Sequence, residues 1–337
     1  MSFIVRAVQR EDLQSLYELA RQFTLLNLPA EKRLIETKIE RSINSFAGEL
    51  SKGEAEYLFV VEDQEGEMIA GTSLILAKNG TPASPNFSYK ILKKERFSRE
   101  LGVGFIHQIL RLNINTDGPT EVGGLIVDRG YRRRPEKVGR LISLSRFLYI
   151  GMERDRFEED LHSEMAPPLT EEGRSEFWEA LGRRFTGMPY QEADQISSQN
   201  NGFIQSLFPE EDIYLALLDS KARLVLGRVA EETQGALHLL NRIGFKYKDE
   251  VDPFDGGPHL GCKASDCTLI KNLKKYKLKK LKTGQFEHTG LFGLLRDGSY
   301  VGSASSYRIE GSELVLPEKT WASLELGEGE EVYLSPL

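Results

Sequence analysis

The chain has 337 residues, 40% hydrophobic and 28% charged, with a formal net charge of −7. That is the composition of an ordinary globular protein, long enough for two or three modules with sizeable cores. The acidic balance argues against a dedicated nucleic-acid binder, although a local basic patch still suits a small anionic ligand. No stretch approaches the roughly 20 apolar residues of a membrane span, Met1 to Arg6 lacks the shape of a signal peptide, and two cysteines make no disulfide framework, so the expected location is the cytoplasm.

Residues 3–8 read as a strand, and Leu13, Leu16, Tyr17 and Ala20 follow Glu11 and Asp12 at helical spacing. Residues 30–46 repeat the helical pattern through Leu34, Ile35, Ile39 and Ile43. Residues 57–62 and 68–76, joined by Asp63, Glu65 and Gly66, predict a β-hairpin. A polar connection over 79–94 leads to strands at 104–114 and 122–127. Val138, Leu141, Ile142, Ser145, Leu148, Tyr149 and Met152 then share one helical face while Leu144, Phe147 and Ile150 cover much of the rest, predicting a largely buried helix.

A short segment at 161–165 stops before Pro167 and Pro168. Residues 171–208 are helical in pattern, with Phe177, Trp178, Leu181 and Phe185 as the apolar stripe, and read as an inserted subdomain. A strand at 214–218, a helix at 236–243 closed by Gly244, and a returning strand at 245–251 follow. Beyond Gly261 a lysine-rich stretch at 271–282 reads as a solvated linker, and turn signals at Arg296-Asp-Gly-Ser299, Glu310-Gly-Ser312 and Gly327-Glu-Gly329 separate short strands. The predicted class is α/β (α+β). Residues 1–165 form a core of mixed sheet and flanking helices, 166–260 a helical insertion and the closing part of that core, and 265–337 a small β-barrel-like module.

The most informative stretch is Glu121-Val-Gly-Gly-Leu-Ile-Val-Asp128, followed by Arg129-Gly-Tyr-Arg-Arg-Arg-Pro-Glu-Lys-Val-Gly-Arg140. It predicts a strand, a basic loop and the start of the buried helix. Arg132, Arg133, Arg134, Lys137 and Arg140 crowd a helix start, where the dipole favours acids instead. An anion bound to the free amides there would offset them, as a nucleotide pyrophosphate does. The plainer reading is a solvated basic run on a surface turn, but the apolar strand and apolar helix on its two flanks favour a strand-loop-helix element.

Gly102-Val-Gly104 lacks the third glycine of a dinucleotide fingerprint, and no Gly-Lys-Ser/Thr follows a glycine-rich loop. A phosphate loop late in a mixed sheet, after a hairpin, fits an acyl-CoA site better. His259, Cys262 and Cys267 fall short of the paired spacing that structural zinc uses, so no metal site is expected.

The chain resembles the GNAT acyltransferase superfamily and, more closely, the arginine N-succinyltransferases of bacterial arginine catabolism. The matching residues run in order from the N-terminus to Pro258: Leu28-Pro29-Ala30, Ile39-Glu-Arg41, Tyr57-Leu-Phe-Val-Val-Glu-Asp63, Ala70-Gly71, Ser98-Arg-Glu-Leu101, Leu144-Ser-Arg-Phe147, Phe177-Trp-Glu-Ala-Leu-Gly182, Ala193-Asp194, Phe203-Ile204, Gly244-Phe245 and Phe254-Asp-Gly-Gly-Pro258.

The resemblance implies a GNAT-like fold, succinyl-CoA as co-substrate and the α-amino group of arginine as acceptor, with association of subunits. It lays pantetheine along Leu125, Ile126 and Val127, and the pyrophosphate on the amides of Val138, Gly139 and Arg140 with Arg132 and Arg133 beside it. Glu164 is the first candidate for base or amine ligand and Glu121 the second, with His107 and His162 behind them. A succinyl carboxylate would need a cation such as Arg96 or Arg99.

The chain departs from the pattern at four places. Ala230 follows Gly227-Arg-Val229 where the family has its proton-donor histidine, with His238 two helical turns beyond it. Arg134-Pro-Glu136 replaces a glycine-rich run, Ala166 an arginine, and Arg96 a histidine. A CoA thiol has a pKa near roughly 8.5, so its thiolate can leave without a dedicated acid. Two further readings stand beside the first: transfer with another acyl-CoA or amine, and a non-catalytic acyl-CoA-binding homologue.

Overall fold

The computed structural model describes residues 3–23, 28–66, 68–197, 200–280 and 285–337. Met1 and Ser2 of the predicted N-terminal segment, and the end of the lysine-rich stretch at Lys282, lie outside the described residues. The chain divides into two compact units: Met1–Lys78, Thr120–Leu161 and Lys263–Leu337 make one, and Asn79–Pro119 with His162–Cys262 make the other.

In the first unit, strands Phe3–Ala7, Glu56–Asp63, Met68–Leu76 and Thr120–Val127 pair antiparallel in that order. The expected hairpin is therefore present. Alternation along Glu56–Asp63 decides what covers each face. Leu58 and Val60 pack with Leu16, Leu19, Ile35 and Ile39 of the helices Leu13–Ala20 and Lys32–Phe46. Tyr57 and Phe59 turn the other way, against Tyr149 of the helix Val138–Met152. That helix is buried nearly all round, as its pattern predicted.

The same unit carries a closed five-stranded barrel of Lys274–Leu278, His288–Arg296, Ser299–Glu310, Glu313–Val315 and Glu331–Pro336. Leu278, Phe292, Tyr307, Leu314, Trp321 and Leu334 fill it. The lysine-rich stretch is therefore not a linker throughout: Lys274–Leu278 is a strand between two partners, with Leu278 inward and Lys275 paired outward to Glu331 at 2.6 Å. Pairing on both sides supplies what its own alternation lacked.

In the second unit, the expected polar connection is the strand Asn86–Ser98, paired along its whole length with Val103–Asn115 as a long ribbon. Phe87 and Tyr89 enter a core with Leu110, Phe177, Trp178, Phe208 and Phe254, while the lysines of the outer half stay in solvent. That is why the alternation was too weak to read. Residues 171–208 give four short helices, Glu176–Ala180, Gly182–Thr186, Tyr190–Ser197 and Gly202–Leu207. Trp178 stacks on Phe254 at 5.2 Å and donates Nε1–H to the Met188 carbonyl. The strand expected at 214–218 is only Ile213–Tyr214, continued by a 3-10 turn at Leu215–Leu217. The helix Gln234–Arg242 and the strand Lys246–Val251 follow as expected.

Among the described residues no helix is long and apolar enough to cross a membrane.

Candidate functional site

The basic loop of the first unit is a strand-loop-helix element, as read from the sequence. The strand Thr120–Val127 is bulged: Thr72 pairs with Ile126 but Leu74 with Gly123, so one extra residue sits on the Thr120–Val127 side. Gly124 takes the extra turn at φ +57, and a Cβ there would lie 2.8 Å from the Leu74 Cβ. Only glycine fits this position. A bulge frees backbone groups of the strand from the ladder, here at Gly124 and Leu125, while Ile126 and Val127 pair with Thr72 and Gly71. Arg146, buried in the helix Val138–Met152, donates to the Gly123 carbonyl at 2.9 Å and to the Ser143 carbonyl at 3.0 Å. Burial pushes its pKa down to about 9.

The loop after the strand is built from backbone conformations usually left to glycine. Arg133 has φ 61 and Lys137 φ 53, a strain of order 1–3 kcal/mol each. This is how Arg134-Pro-Glu136 makes a turn without a glycine-rich run. Val138 and Gly139 open the helix, where amides have no intrahelical acceptor. The Arg140 amide donates to the Lys137 carbonyl at 2.8 Å. A Cβ on Gly139 would sit 3.4 Å from Val127 Cγ2, so the helix start lies against the end of the bulged strand.

The side chains differ more than the sequence suggests. Arg132 donates Nε–H to the Val127 carbonyl at 3.0 Å and lies 4.5 Å over the Phe23 ring. Arg134 covers Tyr131 at 4.3 Å, while Arg133 is exposed. Arg140 Nε is buried with no hydrogen-bond partner among the described residues. An orphaned cationic donor beside a helix N-terminus is what an anion would satisfy. Glu121 lies on the same strand, half-buried, its carboxylate close over Gly123.

Glu164 belongs to the second unit, at the end of the strand Asp160–Glu164. Its Oε1 lies 3.3 Å from His162 Nε2 and 3.6 Å from His259 Nε2. The two imidazoles meet edge to face at 4.7 Å. Burial works to raise the Glu164 pKa, but the His259 and His162 charges and hydrogen bonds from His162 and Asn86 outweigh it and hold it at about 2. Burial pushes His259 down to about 3. At neutral pH the pair is therefore a carboxylate beside a neutral imidazole, and the first proton taken up on acidification is shared between them. Beside it, His162, Asn86, Lys90, Lys248 and Glu250 line a cavity of about 250 Å³.

Three more carboxylates gather around Glu164. Asp252 accepts from the amides of Phe254 and Asp255 at 2.7 and 2.9 Å, and Asp255 from Gly257 at 2.8 Å. This turn is pressed against the end of the Glu164 strand, because a Cβ on Gly257 would lie 2.3 Å from the Met165 carbonyl. Asp194 comes from the helix Tyr190–Ser197. Burial, then the charge of Asp255, raise Asp194 to about 7. Burial raises Asp255 to about 7 as well, with the Glu164 charge adding to it, and lifts Asp252 well above the usual range. Such a cluster is electrostatically incomplete until a cation neutralises it.

Sequence reading did not assign Asp194, Asp252 or Asp255 a role. The available signal was Asp252-Pro-Phe-Asp255-Gly-Gly257, an Asp-capped turn whose second glycine permits close approach. His259 had been considered with Cys262 and Cys267. Among the described residues it groups instead with His162 and Glu164. Arg96 and Arg99 lie exposed toward the outer end of the ribbon, where Arg96 donates to the Tyr214 hydroxyl. Arg96 is ten residues from Asn86 along an extended strand, about 33 Å at the usual rise, so it is not gathered with Glu164. His107 stacks in the same ribbon against Phe105 and Tyr214, and His238 is exposed. Ala230 donates its amide to the Ala166 carbonyl at 2.9 Å, so the position of the missing histidine does adjoin the Glu164 segment.

Comparison with known proteins gives the family. Residues 3–269 match the family described as arginine N-succinyltransferase beta subunit. Arginine N-succinyltransferases of Citrobacter koseri and Escherichia coli are each 34% identical over 285 residues, covering 84% of this chain and 81% of theirs. The solved structure of arginine/ornithine succinyltransferase subunit AI from Pseudomonas aeruginosa superposes with a TM-score of 0.86 at 26% identity, covering 99% of this chain and 98% of that one. The match spans the bulged strand, its basic loop and the acid cluster alike, and the chain belongs to the arginine N-succinyltransferase family of acyltransferase enzymes.

Proposed function

We propose that the protein moves a succinyl group from succinyl-CoA to the α-amino group of arginine. The observation that carries the acceptor half is the gathering of Asp194, Asp252 and Asp255 around Glu164, with pKa values pushed up toward neutrality. A cationic side chain entering this cluster would draw the carboxylates into their ionised form, and a guanidinium can engage them through paired hydrogen bonds. Lys90 and Lys248, on the neighbouring cavity wall, are the cations within this unit suited to a succinyl carboxylate.

The donor half rests on the first unit. Leu125 in the bulge, with Ile126 and Val127 after it, would offer backbone to pantetheine. The amides of Val138 and Gly139, with Arg132, Arg133 and Arg140, offer positive charge to the pyrophosphate. The Arg140 amide is turned to Lys137, so its contribution comes through its unpartnered guanidinium nitrogen.

Acyl transfer needs a neutral amine, and the α-ammonium of a free amino acid ionises near roughly 8. We assign Glu164 to hold this group or take its proton, with Glu121 as the second candidate. Attack on the thioester carbon forms the new N–C bond and an oxyanion, which a strand amide freed at the bulge can stabilise. Collapse expels CoA as a thiolate, which can take up the proton that the nitrogen sheds on becoming an amide, so no acid is needed at position 230.

Release of free thiol from succinyl-CoA and acetyl-CoA, measured across free amino acids and polyamines, tests this reading. Succinyl-CoA with arginine should give the highest kcat/KM. A preference for acetyl-CoA, for another amine, or no thiol release at all would sink it.

A further inference from the structure

The His162, Glu164 and His259 cluster has features that acyl transfer does not call for. We propose that these three residues form a site for a divalent transition cation of the zinc class, with a further coordination position toward the cavity that His162 lines.

The distances suit such an ion. Both Nε2 atoms converge on Glu164 Oε1, at 3.3 and 3.6 Å, and all three ligand atoms lie within 4.8 Å of one another. A tetrahedral ion with bonds of about 2.0–2.1 Å holds its ligands about 3.3–3.4 Å apart. Two imidazoles, one carboxylate and an open position are a donor set that zinc uses in non-structural sites.

The hydrogen-bond account points the same way. His259 is 0% exposed, yet among the described residues neither of its ring nitrogens has a hydrogen-bond partner, and His162 Nδ1 is likewise buried and unpartnered. Leaving such a buried group unsatisfied is unfavourable. A simple His162–Glu164 hydrogen bond would explain one nitrogen and leave both of those on His259 unexplained. A cation accounts for both. Nε2 becomes a ligand, and Nδ1–H is left to face Glu250 Oε2, 4.0 Å away. An outer carboxylate behind a ligating imidazole orients the ring and raises its basicity. Lys248, whose charge reaches His259, is already paired with Glu250 at 3.3 Å.

On Glu164 Oε1 an ion and an amine proton are alternative occupants, so the test reads metal binding directly, in the protein without substrate. The full chain, stripped with a chelator and shown to be folded by circular dichroism, is dialysed against zinc chloride and its metal content measured. Equimolar zinc is expected, and cobalt(II) in its place should give the intense visible bands of a four- or five-coordinate site. Glu164→Gln and His259→Ala should each lose the metal, Glu250→Gln should weaken it about 10- to 100-fold, and Cys262→Ser should leave it unchanged. Folded wild type that takes up no stoichiometric zinc, retention of zinc in folded His259→Ala, or a sulfur-to-cobalt charge-transfer band would each overturn the proposal. Thiol release from acyl-CoA is a separate readout, so loss of this inference leaves the acyl-transfer reading standing, and the reverse also holds.

Discussion

Oε1 of Glu164 and Nε2 of His259 lie 3.6 Å apart although the two residues come from separate strands, Asp160–Glu164 and Pro258–Lys263, far apart in the chain. The contact depends on the turn before His259, whose Gly257 lets the backbone approach Met165. The proposed acceptor site of the second unit is arranged around this junction.

Glu164→Gln keeps the shape of the side chain and removes the charge. If Glu164 takes the amine proton, kcat should fall by about 10² to 10⁴ with acyl-CoA affinity unchanged. Steady-state kinetics beside calorimetric CoA binding would separate the two. An unchanged kcat would remove Glu164 from the chemistry.

Asp194 and Asp255, both near 7 in the folded protein, ionise near 3.9 when unfolded. Between roughly pH 4 and 7 the unfolded chain therefore releases protons that the folded chain keeps, and these groups make stability fall as pH rises through that window. Asp194→Asn should flatten the decline of Tm with pH and raise Tm at pH 8 by on the order of a few °C. Acceptor affinity should run the other way in wild type, strengthening as pH rises through 7 and the carboxylates become available to a cation. A variant with the same pH slope as wild type would contradict the assignment.

Gly139→Asp places a carboxylate at the helix start, 3.4 Å from Val127 at its Cβ, where the proposed pyrophosphate would sit. Acyl-CoA should bind at least about tenfold more weakly, the cost of roughly 1.4 kcal/mol of like-charge repulsion. Arg132→Ala should weaken it less, because this guanidinium is partly engaged by Val127 and Phe23. Undiminished CoA affinity in both variants would displace the pyrophosphate from this loop.

Gly124→Ala tests the bulge. At φ +57 with Leu74 Cβ 2.8 Å from the added carbon, the change should cost roughly 1–3 kcal/mol. It should also pull the strand toward a regular register. Thermal melting would show the first effect. A fall in kcat larger than the loss of stability explains would show that the freed backbone acts on the thioester.

Much of the first unit was legible because its signals are local. The apolar pattern of Val138–Met152, the hairpin and the strand leading into a basic loop each occupy contiguous residues, and period and charge are contiguous properties. The loop's left-handed corners at Arg133 and Lys137 were not legible, since neither residue type announces a positive φ. The Asn86–Ser98 strand was missed because its partner, not its own alternation, defines it.

The amino-acid sequence by itself determined the family and the strand, basic loop and helix start proposed to hold an anion, and, through the family resemblance, the candidacy of Glu164. Only the tertiary structure decided what surrounds Glu164. His162, Asp194, Asp252, Asp255 and His259 come from separate segments, and burial, which sets their charge states, exists only once those segments pack. Desolvation and through-space charge depend on distance in three dimensions, and no periodicity along the chain encodes that distance.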